Sequence, residues 1–322
     1  MCQIMNKTEI YILVGMLGFL VLLPLMVNFD SYYLYVLTMA FLFAWLSLSW
    51  NILAYCGQIS FGHAAFFGLG AYTSALLSLR LGFTPWLTVP VGGFLAIFAS
   101  FILGGSCLQL KGPYLSLATL AFAEILRVIT QNWTSLTAGT LGLVGIPPFP
   151  PLSIGRLTLD FPGNRLPHYY LLLTLLVLLI IGVAVLLRSP LGYAFSAIRE
   201  GEARAEALGV NTFRYKLLAL SLSAFFTGLG GGLYVHQIHY LEPGIAYSLS
   251  LSVLPLVMAM FGGRLTVIGP IYGAFILYLV NELIFQRLFP FAHQLLYAAV
   301  IVVVILFMPQ GLAGWWRGAK GY

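Results

Sequence analysis

Charge is what this chain lacks most: 7% of its residues are Asp, Glu, Lys or Arg, against about a quarter in a soluble domain. So few charged groups cannot cover a water-facing surface, and with 61% of residues hydrophobic the main solvent is lipid. Nucleic acid is excluded as a partner, because the net charge of +6 comes from scattered basic residues with no tract that would track a phosphate backbone. Cysteine is scarce as well. Cys2, Cys56 and Cys107 lie far apart without CxxC spacing, so neither a disulfide framework nor a metal site is expected.

Catalytic motifs are missing too. Lys7 has no upstream glycine, and Lys111, Lys216 and Lys320 are not followed by Ser or Thr after a Gly-Lys pair. The usual backbone cradle for ATP phosphates is therefore absent. With no HExxH and no GxSxG, the chain does not read as an enzyme, and no bound cofactor is expected. The N-terminus does not read as a cleavable signal. Residues 10–27 are eighteen apolar residues, longer than a signal core, and bulky Asn28-Phe29-Asp30 follows them.

What is present is a series of long apolar runs. A bilayer core needs about 20 apolar residues as helix. Ten candidates fit: 10–29, 31–50, 60–79, 86–108, 113–131, 168–187, 217–235, 247–263, 267–286 and 291–309. The expected fold is an all-α polytopic membrane protein, a single domain over residues 1–322. Lys and Arg placement gives its orientation. With the N-terminus inside, ten basic residues fall inside (Lys7, Lys111, Arg188, Arg199, Arg204, Arg214, Lys216, Arg264, Arg317, Lys320) and five outside (Arg80, Arg127, Arg156, Arg165, Arg287). N-in and C-in follows, and Trp315-Trp316 beside Arg317 suits a cytoplasmic interface. Ten spans could divide into inverted five-helix halves, although no internal sequence repeat supports this.

Two segments stand outside the spans. Residues 132–167, dense in Gly and Pro, read as an ordered outer loop with little helix. Residues 189–211 read as cytoplasmic, with helix over 197–208 stopped at Gly209. Eight of the twenty-four charged residues lie between Arg188 and Lys216. Glu200 and Arg204 sit at i,i+4 in the favourable order.

Residues 56–77, CGQISFGHAAFFGLGAYTSALL, combine small pairs at four-residue spacing (Ala64/Gly68, Ala71/Ala75) with Gln58, Ser60, His63, Tyr72 and Thr73. Small pairs let helix backbones approach closely, and polar groups at membrane depth need partners or water. Two readings stand: a helix lining a solute path, or a tightly packed helix whose polar groups are satisfied. His63 alone reads as a hydrogen-bonded packing residue. Glu124 and Arg127, at i,i+3, read as a local ion pair facing the bundle, with contact to a solute's ammonium and carboxylate as the alternative. His236, His239 and Glu242 cluster at the outer end of a span but lack a convincing third metal ligand, so no metal is expected there. Gly228-Leu229-Gly230-Gly231-Gly232 reads as close packing or as a pliable helix.

GQISFGHAAFFGLGAYTSALL closely resembles the signature of the LivM type of branched-chain amino-acid ABC permease (the LivH/LivM family). Three further stretches are similar to that family: residues 137–143, TAGTLGL, to its Gly-rich outer loop; SPLGY, AIRE and AEALGV within 189–210 to its cytoplasmic coupling segment; and Gly262-Gly263, Gly269-Pro270 and Gly273-Ala274 to its closing spans. Ala138 departs from the pattern, standing where the family often has a second Gly, and no fused ATPase follows Trp316.

The resemblance implies a permease subunit of a bacterial ABC importer in the inner membrane. It would move branched-chain amino acids by alternating access, with ATP used by separate subunits. Implied partners are a homologous permease, two ATP-binding cassette subunits, a periplasmic solute-binding protein and the bilayer. Urea or short amides, which related permeases carry, are compatible cargo, and an ion-coupled secondary transporter is the rival class. The candidate path residues are Gln58, Ser60, His63, Tyr72, Thr73, Glu124 and Thr140. The candidate ATPase-coupling residues run from Arg199 to Gly209. Arg199, Glu200, Glu202, Arg204 and Glu206 are expected as exposed interface charges, with Ala203, Ala207 and Leu208 as apolar contacts.

Overall fold

The computed structural model describes residues 7–26, 29–110, 112–154, 157–288 and 311–312. Its helices are α1 (Lys7–Met26), α2 (Ser31–Ala54), α3 (His63–Leu81), α4 (Pro85–Cys107), α5 (Pro113–Asn132), α6 (Thr134–Thr137), α7 (Arg165–Arg188), α8 (Pro190–Glu200), α9 (Glu202–Ala207), α10 (Thr212–Ile238), α11 (Pro243–Ala246), α12 (Leu249–Gly262), α13 (Gly269–Val280) and α14 (Gln286–Leu288). A π-helical turn, Asn281–Phe285, joins the last two. A 3-10 turn, Gly139–Leu141, and two small antiparallel pairs are the other regular elements among the described residues. Strand β1 (Leu143–Val144) pairs β4 (Tyr240–Leu241), and β2 (Leu152–Ile154) pairs β3 (Leu157–Leu159).

Among the described residues, eight helical segments are long and apolar enough to cross a bilayer, from Ser31–Ala54 to Gly269–Leu288. The chain is an all-α polytopic membrane protein. Helix α1 adds twenty residues at the expected first span, and the expected span 291–309 lies outside the described residues. Punctuation follows local chemistry. Pro85, Pro113, Pro243 and Pro270 open helices, where their missing N–H costs nothing. Gly82 closes α3 in the left-handed region. Asn164 and Asn211 cap α7 and α10, accepting from the backbone N–H of Leu166 and Arg214.

The packing divides into two compact units. One holds residues 1–48, 152–192 and 257–322; the other holds 49–151 and 193–256. In the first unit, Phe41 lies edge-on to Tyr169 at 5.0 Å and to Phe275 at 5.3 Å, and the Tyr169 hydroxyl donates to the Leu20 carbonyl. Here the end of α12 meets α13 backbone to backbone: a Cβ on Gly262 would lie 1.7 Å from the carbonyl oxygen of Gly269.

The second unit is built on α3, α4 and α10. Its contacts have no room for a side chain. A Cβ on Gly70 would sit 2.1 Å from the Gly228 carbonyl oxygen, one on Gly231 would sit 2.1 Å from that of Phe67, and one on Gly92 would sit 2.6 Å from that of Gly70. Helix α10 is continuous through its glycines. Close packing, rather than local pliability, is therefore their role in this structure.

Candidate functional site

The candidate residues gather at two ends of the second unit. At one, the segment Tyr55–Gly62 feeds α3 and meets α8, α9 and the start of α10. At the other, residues 133–151 cover the far ends of α3, α5 and α10.

At the first end, Gly57 has φ +77°, and a Cβ there would lie 3.2 Å from both Cα and Cγ of Arg199. Only glycine relaxes into that conformation while letting the Arg199 backbone so near. Trp50 Nε1–H donates to the Ser60 carbonyl at 2.9 Å, the Ser116 hydroxyl donates to the Ile59 carbonyl, and the Phe61 N–H donates to the Thr119 hydroxyl oxygen. The loop is thus fixed to α2, to α5 and to the charged segment. Burial pushes the Cys56 thiol up to about 12, with Glu202 adding to the shift while Lys216 and Arg199 oppose it.

The charged segment departs from the expected single helix over 197–208. Helix α8 starts already at Pro190, and Gly201 (φ 164°, ψ 107°) breaks the run before α9. The Glu200/Arg204 side-chain pair does not form. The Arg204 guanidinium donates instead to the Glu200 carbonyl at 2.6 Å, and the Glu200 carboxylate lies 3.9 Å from Arg199. Glu202 is not an exposed interface charge either. It receives the Lys216 ammonium at 2.5 Å, and the Lys216 side chain is 3% exposed. Glu206 accepts the Thr212 hydroxyl at 2.6 Å. Ala203, Ala207, Gly209 and Leu208, the last at 82%, are exposed. Lys216 was missed in sequence because it adjoined a charged loop. It belongs to the first turns of α10, where its ammonium requires Glu202.

At the second end, two imidazoles hold the loop. His236 Nδ1–H donates to the Pro147 carbonyl at 2.7 Å, and His239 Nδ1–H to that of Ile146 at 2.9 Å. With His236 neutral, its bare Nε2 accepts from Ser74 (2.8 Å), so Ser74 accepts from Thr88 (2.8 Å) and Thr88 from Ser78 (3.1 Å). This ordered chain through α3, α4 and α10 had no sequence signal, since its members are spread over more than 150 residues. Arg80 donates to the carbonyls of Ser135 and Leu136. Ala138 adopts φ 60°, the left-handed conformation that Gly takes without strain. Gly142 (φ 74°) has the Leu241 carbonyl 2.5 Å from where a Cβ would be. The Tyr240 hydroxyl, bonded to Glu242, is held above its usual range by that carboxylate.

The candidate path residues do not share one surface. Ser60, His63 and Tyr72 are buried in the second unit's own packing, Gln58 and Thr73 are half-buried, and Glu124 and Thr140 are exposed. Gln58 and Thr140 stand at opposite ends of α3, whose nineteen residues span about 28 Å. Within residues 56–77, Ser60, His63 and Tyr72 are packed side chains in this structure. His63 Nε2–H donates to the Ser223 oxygen at 2.7 Å, because the Ser223 proton goes to the Ser49 carbonyl. The Tyr72 ring stacks on Tyr247, 6.0 Å between centroids and 10° between planes, with its hydroxyl buried and, among the described residues, without a hydrogen-bond partner. The Glu124–Arg127 ion pair does form, by Arg127 Nε–H to Glu124 Oε2 at 2.9 Å and a second, shorter bond. It does not face the bundle, however. Glu124 is 54% exposed and Arg127 31%.

A polytopic helical protein with a glycine-seamed core, a charged segment seated on the loop that leads into it and a pinned loop at its far end has the form of a membrane permease. Residues 32–307 match the family model for the branched-chain amino acid transport system permease component, and the chain belongs to that family. It is 32% identical to the high-affinity branched-chain amino acid transport system permease protein LivM of Escherichia coli strain K12, over 93% of this chain and 74% of that protein. The LivH permease protein of the same system and strain is 24% identical over 80% of this chain and 86% of its own. A third relative, the autoinducer 2 import system permease protein LsrC of Photorhabdus laumondii, is 26% identical over 72% of this chain and 67% of its own. No solved structure matches the chain.

Proposed function

We propose that this chain is the permease subunit of a bacterial ABC importer that carries branched-chain amino acids across the inner membrane. Its partners in this reading are a homologous permease, two ATPase subunits and a solute-binding protein that delivers cargo to the 133–151 side. The chain itself performs no hydrolysis. The observation that carries the reading is the seat of Arg199 on Gly57. Helices α8 and α9 offer Ala203, Ala207 and Leu208 outward, while their inner side is tied to the loop entering α3 and, through Glu202–Lys216, to α10. ATPase closure against the exposed residues pushes on the loop and the Glu202–Lys216 ion pair together. Because α3, α4 and α10 meet backbone to backbone, they transmit that push as one block. The energy comes from the differential affinity of the ATPases for two arrangements of the permeases.

The test is uptake in proteoliposomes containing the full set of subunits, with leucine, isoleucine or valine on the loaded binding protein. Uptake should require internal ATP and the ATPase subunits. Ion-gradient-driven uptake by this chain alone would overturn the proposal.

A further inference from the structure

Helix α5 buries Leu115, Ser116, Thr119, Ala123 and Thr130, whereas Leu117, Ile125, Val128 and Ile129 are exposed on the side that also carries exposed Glu124 and half-exposed Arg127. Glu124 lies eight residues before the end of the helix, about 12 Å along the axis at ~1.5 Å per residue. That is inside the hydrocarbon layer, whose half-thickness is about 15 Å. Ionised side chains at such depth face protein or water-filled space, not lipid tails. The exposed side of α5 therefore borders a path or another subunit.

The pair is also chemically incomplete. A guanidinium has five N–H donors and a carboxylate about four acceptor positions. The two mutual bonds occupy two of each, and among the described residues neither side chain makes any other hydrogen bond. Donors and acceptors remain side by side on one exposed ledge, flanked by Ile125, Val128 and Ile129. A carboxylate can dock on the free guanidinium edge and an ammonium on the free carboxylate lone pairs, with an apolar side chain against the isoleucines and valine.

We infer that Glu124 and Arg127 form a transit site for a zwitterionic solute with an apolar side chain, the pair matching the solute's opposed charges. This deepens the proposed importer function and rests on it. An uncharged solute such as urea would gain far less from the same ledge.

The experiment uses the reconstituted full assembly and leucine-loaded binding protein, measuring leucine taken up per ATP hydrolysed. Native uptake is established first; if the native assembly takes up no branched-chain amino acid, the importer reading falls and this inference with it. The variants are Glu124→Gln, Arg127→Gln and the shape-conserving double. With native uptake in hand, leucine per ATP is expected to fall about tenfold in each, as for one lost charge-assisted contact, while stimulated ATP hydrolysis stays within about twofold. An unchanged ratio overturns the inference. So does a parallel fall of hydrolysis and uptake, or loss of assembly in the double variant, because either identifies the pair as a contact between subunits.

Discussion

Glu202→Gln should destabilise this chain more than Lys216→Met, although each breaks the same ion pair. The reason is the unequal access of its two ends to water. The Lys216 side chain is 3% exposed, that of Glu202 34%, and they meet at 2.5 Å. Removing the carboxylate strands an ammonium that cannot reach solvent, a change that costs about 3–5 kcal/mol for a fully buried pair. The amide oxygen of Gln still accepts one hydrogen bond, which returns ~1 kcal/mol, so a loss of about 2–4 kcal/mol remains. Lys216→Met removes the buried charge itself and leaves a carboxylate that can turn to water, at a cost of about 0–1 kcal/mol. The double variant should lie near Lys216→Met. Thermal unfolding of the purified chain in detergent gives the order, and co-purification of the ATPase subunits shows whether α9 stays in place. Equal losses, or Lys216→Met as the worse variant, would refute the argument from solvent access.

Other perturbations discriminate further. Gly231→Ala places a Cβ 2.1 Å from the Phe67 carbonyl oxygen; as backbone cannot yield there, yield of folded protein should collapse, while Gly105→Ala, with open space around it, should be silent in the same expression assay. Leu208→Glu should leave the melting temperature of the isolated chain unchanged and abolish ATPase co-purification, since that side chain is 82% exposed. Cys56, in a background with Cys2 and Cys107 replaced, should resist thiol alkylation at pH 8 and react as pH approaches 12. The sign for stability follows: a raised thiol favours the folded state fully below the ordinary thiol range of about 8.5, and that contribution is lost as pH rises from there toward about 12. His236→Ala should expose residues 143–147 to proteolysis in intact vesicles, because the Pro147 carbonyl loses its donor.

The spans were legible because lipid demands long apolar runs, and the charged segment stood out because charge is otherwise so rare. Facing was not legible. The i,i+3 spacing of Glu124 and Arg127 announced their bond, but α5 hides hydroxyls and shows aliphatics. Periodicity finds two faces and cannot say which solvent each meets. The break at Gly201 was also hidden, since a single helical glycine costs only about 1 kcal/mol and is often tolerated. Glu202 seemed to belong to the charged surface because its partner lies fourteen residues on, at a depth that composition does not reveal. Ser60, His63 and Tyr72 carried polar groups that suited a path equally well, and their burial against Trp50, Ser223 and Tyr247, all distant in sequence or in other elements, was not legible.

The ordered run from Ser78 through Thr88, Ser74 and His236 ends on the carbonyl of Pro147. A peptide oxygen cannot accept a proton and pass another on, so this relay goes nowhere. Polar groups strung through the interior of a membrane protein invite leakage of the ion gradient, and here the same groups brace the bundle while remaining an insulator.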